Sequence, residues 1–413
     1  MAITMDINQN VLISEENMFP KTTFDLQRAR KETPGCQNVL HFNNAGAALM
    51  PTPVLEATIG HLQLEAQIGA YEAAEQSYEA IEHVYDAVAA LIGCQRDEVA
   101  IIENATRAWD MAFYSIPLGP GDKILTGMAE YASNYIAFLQ VSRKTGAEVE
   151  VIPNDEDGQL SIEALRNAID QRVKLIAITH VPTNGGLVNP AAAVGQVARE
   201  NGILYLLDAC QSIGQMPIDV DAIGCDMLAA TSRKFLRGPR GSGFLYVRRD
   251  LIEKVEPPFL DLHAAQWVAR NEYKIRPDAR RFETWETSYA SKIGLGVAID
   301  YALEWGLDAI WARISVLANH LRTQLNALEH VTVRDLGAQK CAIVTFTVDG
   351  KEPEAIRHAL REHHINVSTS SIFSTRLDME ARQLERVVRA SVHYYNSQEE
   401  VERFCATVAK ILS

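Results

Sequence analysis

The 413-residue sequence predicts an α/β fold, with a mainly parallel, seven-stranded sheet in a large domain and a smaller α+β domain at the carboxyl end. Seven short β-prone runs alternate with helical or loop sequence, and near-continuous apolar strands between helices are typical of a parallel sheet covered on both faces. These runs lie at residues 98–102, 123–126, 148–152, 174–179, 203–207, 226–230 and 243–247. After about residue 295 the pattern changes to two long helices, a strand, a further helix and a last strand.

The same patterns suggest where the domains begin and end. Apolar residues recur at helical spacing from about 80 to 92, and Gly93 then supplies a stop signal. We expect residues 1–45 to be an N-terminal segment that packs with the small domain. Residues 46–294 are expected to form the large domain, and residues 295–413 the small one.

Composition narrows the classes of partner. A formal net charge of -14 without a basic stripe opposes binding to nucleic acid, and no apolar run approaches the roughly 20 residues that span a bilayer. The amino terminus carries acidic residues and lacks a basic start followed by an apolar stretch, so it does not resemble a secretory signal. Six scattered cysteines without a CxxC pair indicate reduced, buried thiols, and we expect no metal site. We therefore expect a cytoplasmic protein that binds a small molecule.

Two residues that follow apolar strands are candidates for a ligand-binding or catalytic site. Asp208 directly follows one strand, and Lys234 follows another, in front of a turn that contains Gly238, Gly241 and Gly243. Ligands of parallel sheets bind beyond the carboxyl ends of the strands, and glycine lets the backbone approach them closely. An acid alone at a strand end is commonly a helix cap or a turn former. The glycines match neither a dinucleotide-binding fingerprint nor a Walker A loop, which argues against nucleotide binding.

The sequence around both residues resembles the class V aminotransferase family, which includes cysteine desulfurases, isopenicillin N epimerase-like enzymes and related C–S lyases. The resemblance rests on DACQSIG at 208–214 and TSRKFLRGPRGSGFLYV at 231–247, and it extends in the expected order from HFNNAGAALMP at 41–51 to RASVHYYN at 389–396. It implies the aspartate-aminotransferase-like fold (fold type I) and pyridoxal 5'-phosphate (PLP) as the cofactor. It also implies a homodimer with active sites near the subunit interface.

By this resemblance three residues handle the PLP ring. Lys234 holds the cofactor as a Schiff base and later moves the Cα proton, a task that suits a lysine in a partly desolvated site. Asp208 pairs with the pyridinium nitrogen, which keeps the ring an electron sink. Gln211 hydrogen-bonds the ring hydroxyl. We expect Cys210, which lies between the last two, to face the core.

Four residues are expected at the cofactor phosphate. Ala105 and Thr106 come at the start of a helical segment, where backbone N–H groups bind anions, and they occupy phosphate-binding positions in the relatives. A plain N-cap role for Thr106 is the alternative. Thr231 and Arg233 take the places of a serine and a histidine beside the lysine of desulfurases. Arg233 therefore adds a permanent charge and removes a titratable imidazole.

Two loops supply further contacts. Tyr131 replaces the ring-stacking histidine of the family's E-H-x-x-N segment and keeps an aromatic platform, with core packing as the alternative. The loop 180–186 resembles the family's H-V-x-N-x-x-G loop. Thr183 stands at the spacing of the usual asparagine and is assigned to the cofactor. Asn184 stands one residue later and is assigned to the substrate. Whether Thr183 or Asn184 contacts the cofactor or the substrate stays open.

Further residues point to an amino-acid substrate. Arg389 matches the arginine that grips the substrate α-carboxylate, a task that suits its planar fork, and a surface salt bridge is the alternative. Asn44 lies in a segment that the family places near the substrate. The segment 281–287 resembles the one that reaches the neighbouring subunit's phosphate in family dimers, but Trp285 and Glu286 replace its usual glycine and threonine. This replacement suggests a reshaped substrate wall.

One feature of the sequence narrows the reaction. Desulfurases take a nucleophilic cysteine from a loop shortly before the carboxylate-binding arginine, and residues 367–388 contain none. The Ser- and Thr-rich stretch 368–375 is a candidate polar lid. The sequence after the lysine resembles the branch of hercynylcysteine sulfoxide lyase, which implies β-elimination from a cysteine S-conjugate or sulfoxide to give pyruvate and ammonia. An aminotransferase, an isopenicillin N epimerase-like epimerase and an inactive scaffold that keeps the fold are the alternatives.

Overall fold

The computed structural model of the chain describes residues 24–412. The strands of this part are β1 (Leu40–His41), β2 (Val99–Ile102), β3 (Lys123–Gly127), β4 (Glu148–Ile152), β5 (Val173–Thr179), β6 (Leu204–Asp208), β7 (Met227–Thr231), β8 (Gly243–Val247), β9 (Ala265–Ala269), β10 (Glu272–Ile275), β11 (Val331–Val333), β12 (Ile343–Val348), β13 (Ile365–Asn366), β14 (Ser368–Ser371) and β15 (Arg386–Ser391). The α-helices are α1 (Leu26–Lys31), α2 (Thr52–Ile68), α3 (Ala70–Gln76), α4 (Tyr78–Ile92), α5 (Ala105–Phe113), α6 (Ala132–Thr145), α7 (Ile162–Ala168), α8 (Ala191–Asn201), α9 (Val220–Ile223), α10 (Arg249–Ile252), α11 (Tyr289–Trp305), α12 (Leu307–Asn326), α13 (Pro353–Glu362), α14 (Arg376–Ala381) and α15 (Gln398–Leu412).

Seven strands form the main sheet, in the order β2-β8-β7-β6-β5-β3-β4. The five strands from β7 to β4 pair in parallel, and β8 runs antiparallel to both of its neighbours. Successive strand residues such as Leu206 and Leu207 belong to two separate hydrophobic clusters, so both faces of the sheet are covered. The predicted α/β fold with a mainly parallel, seven-stranded sheet is confirmed.

The strand register places polar residues along one edge of this sheet. Thr179, the last residue of β5, lies opposite Asp208, the last residue of β6, and Asp208 lies opposite Ala229 of β7. β7 continues to Thr231. Because carboxyl ends of parallel strands meet at one edge, the loops that follow β5, β6 and β7 enclose a common space.

A second, antiparallel sheet has the order β11-β12-β15-β14 and packs against α12 and α13. β1 pairs with β13 beside it, with Leu40 opposite Ile365. This pairing supports the assignment of 1–45 to the small domain, which stays a proposal and of which residues 1–23 lie outside the described part. Helix α11 crosses the proposed boundary at 294. Among helices of residues 24–412, none combines the length and hydropathy that a membrane crossing needs.

Arg237 joins the N-terminal segment, the lysine turn and the C-terminal strand region. Its residue is 1% exposed, and its guanidinium donates to Leu49 O at 2.8 Å, Tyr394 Oη at 2.5 Å and Thr33 Oγ1 at 2.5 Å. Its backbone N–H donates to Lys234 O at 3.0 Å. Hydrogen bonds from a charged donor are stronger than neutral ones, so this side chain fixes the turn that carries Lys234.

We expect Arg237→Met to lower the free energy of unfolding by about 3 kcal/mol, because it leaves two buried acceptors and one partly buried acceptor without their charged donor. Denaturant titration at fixed protein concentration measures the loss. The matched control is Arg240→Met, three residues later and exposed, which should change stability by less than about 0.5 kcal/mol. Equal losses in both variants would contradict the role given to Arg237.

Candidate active site

A cavity of about 200 Å³ lies at the carboxyl edge of the main sheet. Every residue that we predicted to bind the cofactor lies in its lining. The full set is Asn104, Ala105, Thr106, Tyr131, Asn134, Thr179, Val181, Thr183, Asp208, Cys210, Gln211, Thr231, Arg233 and Lys234. Among residues 24–412, no group of His, Cys, Asp and Glu side chains is arranged to hold a metal ion.

Lys234 enters the cavity from the turn after β7, where its Nζ donates to Cys210 Sγ at 3.2 Å. The prediction that Cys210 faces the core is therefore wrong. Asp208 Oδ1 accepts from Cys210 N at 2.8 Å, and this Asx turn ends the alternation of the strand and brings the thiol into the cavity. Burial raises the pKa of the Cys210 thiol, which the Lys234 ammonium only partly opposes.

Asp208 is 6% exposed at the end of β6. Its Oδ2 accepts from Asn134 Nδ2 at 2.9 Å, while Oδ1 accepts from the Cys210 N–H. Burial raises the pKa of this carboxyl, and the hydrogen bonds and the nearby Lys234 only partly offset the shift. No described side chain forms an ion pair with it, so a cation placed in the cavity would stabilise the ionised form.

The start of α5 forms another part of the wall. The Asn104 side chain caps this helix by accepting from Arg107 N at 3.0 Å, so the alternative role of Thr106 as N-cap is wrong. The N–H groups of Ala105 and Thr106 belong to the first turn, where no acceptor exists within the helix. Both residues line the cavity, and free amides at a helix start favour an anion.

Arg233 and Thr231 lie on the same cavity. The Arg233 guanidinium donates to Gly46 O, and burial lowers its pKa. Thr231 is 5% exposed, and its hydroxyl makes one long contact of 3.4 Å to Ser242 O. Within the described residues Arg233 has no carboxylate in ion-pair range, which leaves its charge available to a ligand.

Tyr131 precedes α6 and lies on the cavity wall with 36% of its surface exposed. The alternative of plain core packing is therefore wrong. Gln211 is 3% exposed and donates from Nε2 to Ala45 O at 3.2 Å. Its buried Oε1 has no hydrogen-bond partner among residues 24–412, and an orphaned buried oxygen on a cavity wall indicates a ligand group.

Arg389 lies beside the cavity on β15 and is 8% exposed. Its Nε donates to Ser368 Oγ at 3.0 Å, and its Nη1 donates to Thr183 O at 3.2 Å and to the Thr183 hydroxyl. Burial, together with the charge of Arg233, lowers the pKa of this guanidinium to about 10. It has no acidic partner among residues 24–412, so the alternative of a surface salt bridge is wrong.

Two asparagines assigned to the substrate lie outside the cavity lining. Asn44 is fully buried, donates to Ser391 O at 2.7 Å and accepts from the Tyr395 hydroxyl. Asn184 donates to Ser371 O at 3.2 Å and accepts from a neighbouring serine. Both amides are occupied by tertiary hydrogen bonds, so of the two candidates in the loop after β5 it is Thr183 that lines the cavity.

The expected lid and the expected substrate wall also differ in the structure. Residues 368–371 form β14 rather than a loop, because they pair with β15. The turn that follows still touches the site, since Ala132 N donates to Ser374 O at 2.9 Å. Trp285 and Glu286 do not belong to the lining of this chain's cavity, and Trp285 is 50% exposed.

Sequence reasoning assigned no role to Glu130, Asn134 and Thr179. Glu130 and Asn134 stand four residues apart in the segment that carries Tyr131, and Thr179 ends a strand next to Asp208. A polar residue at the end of a neighbouring parallel strand was the available signal for Thr179. The bond between Asn134 and Asp208 joins residues 74 positions apart and gives no local signal.

Comparison with known proteins agrees with the geometry. The family model for class V aminotransferases matches residues 40–404. A "probable cysteine desulfurase" of Xylella fastidiosa is 30% identical, with 95% of this chain and 97% of that protein covered. The apo structure of a Thermococcus onnurineus NA1 cysteine desulfurase has a TM-score of 0.87 at 27% identity, covering 93% and 97%. A cystine C–S lyase in complex with cysteine persulfide has a TM-score of 0.81 at 25% identity, covering 91% and 99%.

The cofactor of the class V aminotransferases is PLP, and the cavity fits it. Asp208 is a buried carboxylate that forms no ion pair with any described side chain, which suits a protonated ring nitrogen. The orphaned Oε1 of Gln211 indicates a polar ligand group. At the other side, the α5 amides and Arg233 suit a phosphate. Lys234 supplies the amine.

We expect the apo-protein to lose stability at acid pH because of His180. This residue is buried directly after β5, and burial lowers its pKa to about 4. In the unfolded chain His180 is protonated near pH 6.5, whereas in the folded chain it stays neutral down to about pH 4. The unfolded state therefore binds more protons in this range, and stability is lost as the pH falls through it. His180→Gln should remove roughly 1.4 kcal/mol per pH unit of this slope, measured by denaturant titration from pH 7 to 4. An unchanged slope in His180→Gln would contradict this account, and the exposed His358→Gln serves as control.

Proposed function

Because the chain belongs to the class V aminotransferase family, we propose that it is a PLP-dependent C–S lyase. The proposed reaction is β-elimination from a cysteine S-conjugate or sulfoxide: the Cα proton is removed, the Cβ–S bond breaks and the sulfur fragment leaves as a thiol or a sulfenic acid. Water then hydrolyses the released aminoacrylate to pyruvate and ammonia. The observation that carries the proposal is the joining of Lys234 and Asp208 in one cavity beside Arg389, a buried guanidinium without an acidic partner. The similarity to a cystine C–S lyase supports the reaction type.

Bound PLP withdraws electrons from the substrate Cα and so acidifies its proton. The chain's own residues supply the remaining functions. Arg389 binds the substrate α-carboxylate, and its contacts with Ser368 and Thr183 hold the guanidinium in a fixed orientation. The Lys234 amine would take the Cα proton, and the Asp208 carboxylate would pair with the ring nitrogen and keep it protonated.

The absence of a cysteine between 367 and 388 separates this proposal from persulfide formation on a mobile loop. A second candidate function nevertheless has one observation in its favour. The Cys210 thiol lies in the cavity, 3.2 Å from the Lys234 amine, where it could accept sulfur from a cysteine substrate. The two candidates differ in product, since desulfuration leaves alanine and a protein persulfide instead of pyruvate.

We expect the PLP-loaded protein to convert L-cysteine S-conjugates or their sulfoxides to pyruvate without accumulating pyridoxamine phosphate. Lys234→Ala should lower the rate by on the order of 10²- to 10⁴-fold, because it removes the general base. Lys174→Ala, at an exposed lysine on β5, is the matched control and should keep the wild-type rate. Mass spectrometry of products together with Cα-deuterium exchange measures all outcomes.

Other product patterns identify the alternatives. Pyridoxamine phosphate would make the protein an aminotransferase, and exchange without pyruvate would make it an epimerase. Alanine with a persulfide that is lost in Cys210→Ser would make it a desulfurase. A protein that binds PLP and shows none of these reactions would be an inactive scaffold.

We also propose that the protein works as a homodimer in the cytoplasm, with a small amino acid as its other partner. Large aromatic side chains are exposed on the surface, and Trp267 and Tyr273 face each other on the β9–β10 hairpin with 78% and 54% exposure. Phe259 is 59% exposed and lies under Arg107 of helix α5. Exposed aromatic residues are typical of surfaces that another protein covers. All six cysteines are free thiols, which supports a reducing compartment.

Sedimentation of the PLP-loaded protein should give twice the mass of the chain. The double variant Trp267→Glu with Tyr273→Glu should shift the population towards one chain mass, because it places charges on the proposed interface. A wild-type protein that sediments with the mass of one chain would rule out the dimer.

A further inference from the structure

Glu130 lies behind the cavity wall, is 4% exposed and accepts five hydrogen bonds. Its Oε1 accepts from Tyr131 N at 2.9 Å, Asn134 Nδ2 at 2.8 Å and Thr179 Oγ1 at 2.5 Å. Its Oε2 accepts from Thr126 Oγ1 at 3.0 Å and Thr179 N at 3.0 Å. Glu130 does not line the cavity itself, but Tyr131, Asn134 and Thr179 all do. One buried carboxyl group therefore ties three wall residues together.

Asn134 transmits this arrangement to Asp208. Its Nδ2 contacts Glu130 Oε1 at 2.8 Å and Asp208 Oδ2 at 2.9 Å, so both amide hydrogens are used. Both partners are acceptors, and only the nitrogen end of the amide can satisfy them. If Glu130 lost its acceptor, the amide could rotate and present its oxygen to Asp208, which would repel the carboxylate.

We propose that Glu130 is a positioning residue, which orients Asn134 so that Asn134 holds the Asp208 carboxylate in place for the cofactor ring nitrogen. The proposal rests on the proposed function only for the presence of PLP, and it is independent of the reaction that follows. Burial raises the pKa of Glu130 to about 7, which the hydrogen bonds from Thr179 and Asn134 oppose. A buried acid costs stability, and its position behind the cavity wall agrees with a role in the site.

The test compares Glu130→Leu with Glu130→Gln in the full-length chain. We expect Glu130→Leu to weaken PLP binding at least 10-fold in titrations of the apo-protein and to change the visible circular dichroism of the bound cofactor, because Asp208 is no longer held. Glu130→Gln keeps an oxygen that can accept from Asn134, so it should bind PLP within about threefold of the wild type, a difference below 1 kcal/mol.

Glu98→Leu is the matched control. Glu98 is 8% exposed and accepts from two backbone N–H groups, Arg249 N at 2.7 Å and Gln95 N at 2.9 Å, away from the cavity. This variant should lower stability as a lost buried acceptor does, without changing PLP affinity or the dichroism. Equal effects of Glu98→Leu and Glu130→Leu on PLP binding would reduce Glu130 to a structural role and overturn the proposal.

A double-mutant cycle isolates the route through Asn134. In an Asn134→Ala background, Glu130→Leu should weaken PLP binding by no more than about threefold further, because the bridge is already absent. Full additivity of the two changes would overturn the proposal.

If Glu130→Leu does not fold, Glu130→Asp replaces it, since its retracted carboxylate keeps the charge and should still weaken PLP binding more than threefold. Normal PLP binding without lyase products would reject the proposed reaction and leave this inference standing.

Discussion

The carboxylate of Asp208 ends a parallel strand inside the protein, and an ionised acid in that position is unfavourable until a cation reaches it. The strand register leaves little choice about its location, because β5 and β7 hold β6 on both sides. What the fold supplies is orientation, through Asn134 on one oxygen and the backbone of Cys210 on the other. No side chain among residues 24–412 forms an ion pair with Asp208, although Lys234 is nearby, so a ligand that carries a cation would complete the pair.

The other side of the site also carries unpaired charge, which there is positive. Arg233 and Arg389 are partly or wholly buried and have no acidic partner among the described residues. A site with an unpaired acid at one end and unpaired guanidinium groups at the other is complementary to a ligand that carries a cationic ring and anionic groups. Such local costs are tolerated because a large, doubly covered sheet stabilises the rest of the domain.

Sequence patterns predicted the main sheet well because most of its strands are buried on both faces, and a continuous apolar run needs no tertiary information to be recognised. The edge strand β4 is half-exposed, and acidic and apolar residues alternate along it. The runs 148–152 and 243–247 match β4 and β8 to the residue. Strand β14 was missed and interpreted as a lid, since its Ser and Thr side chains give no apolar signal and only pairing with β15 makes it a strand. The exposed β9–β10 hairpin was missed for the related reason that its residues are largely exposed and give no continuous apolar signal.

The site agrees with the motif-based predictions where the backbone alone sets a residue's position, as for the amides of α5. It differs from them where the direction of a side chain depends on contacts with residues distant in the sequence. Cys210 turns into the cavity because of an Asx turn, and Asn44 turns away because Ser391 and Tyr395 occupy its amide. Arg389 shows how such contacts fix the orientation of a side chain. Its Nε and Nη1 donate to Ser368 and Thr183, two elements outside its own strand, and these bonds restrict rotation of the long side chain before any ligand arrives. A guanidinium that is already oriented loses less entropy on binding a carboxylate, so the contacts of Arg389 with β14 and the loop after β5 suit the carboxylate-binding role proposed for it.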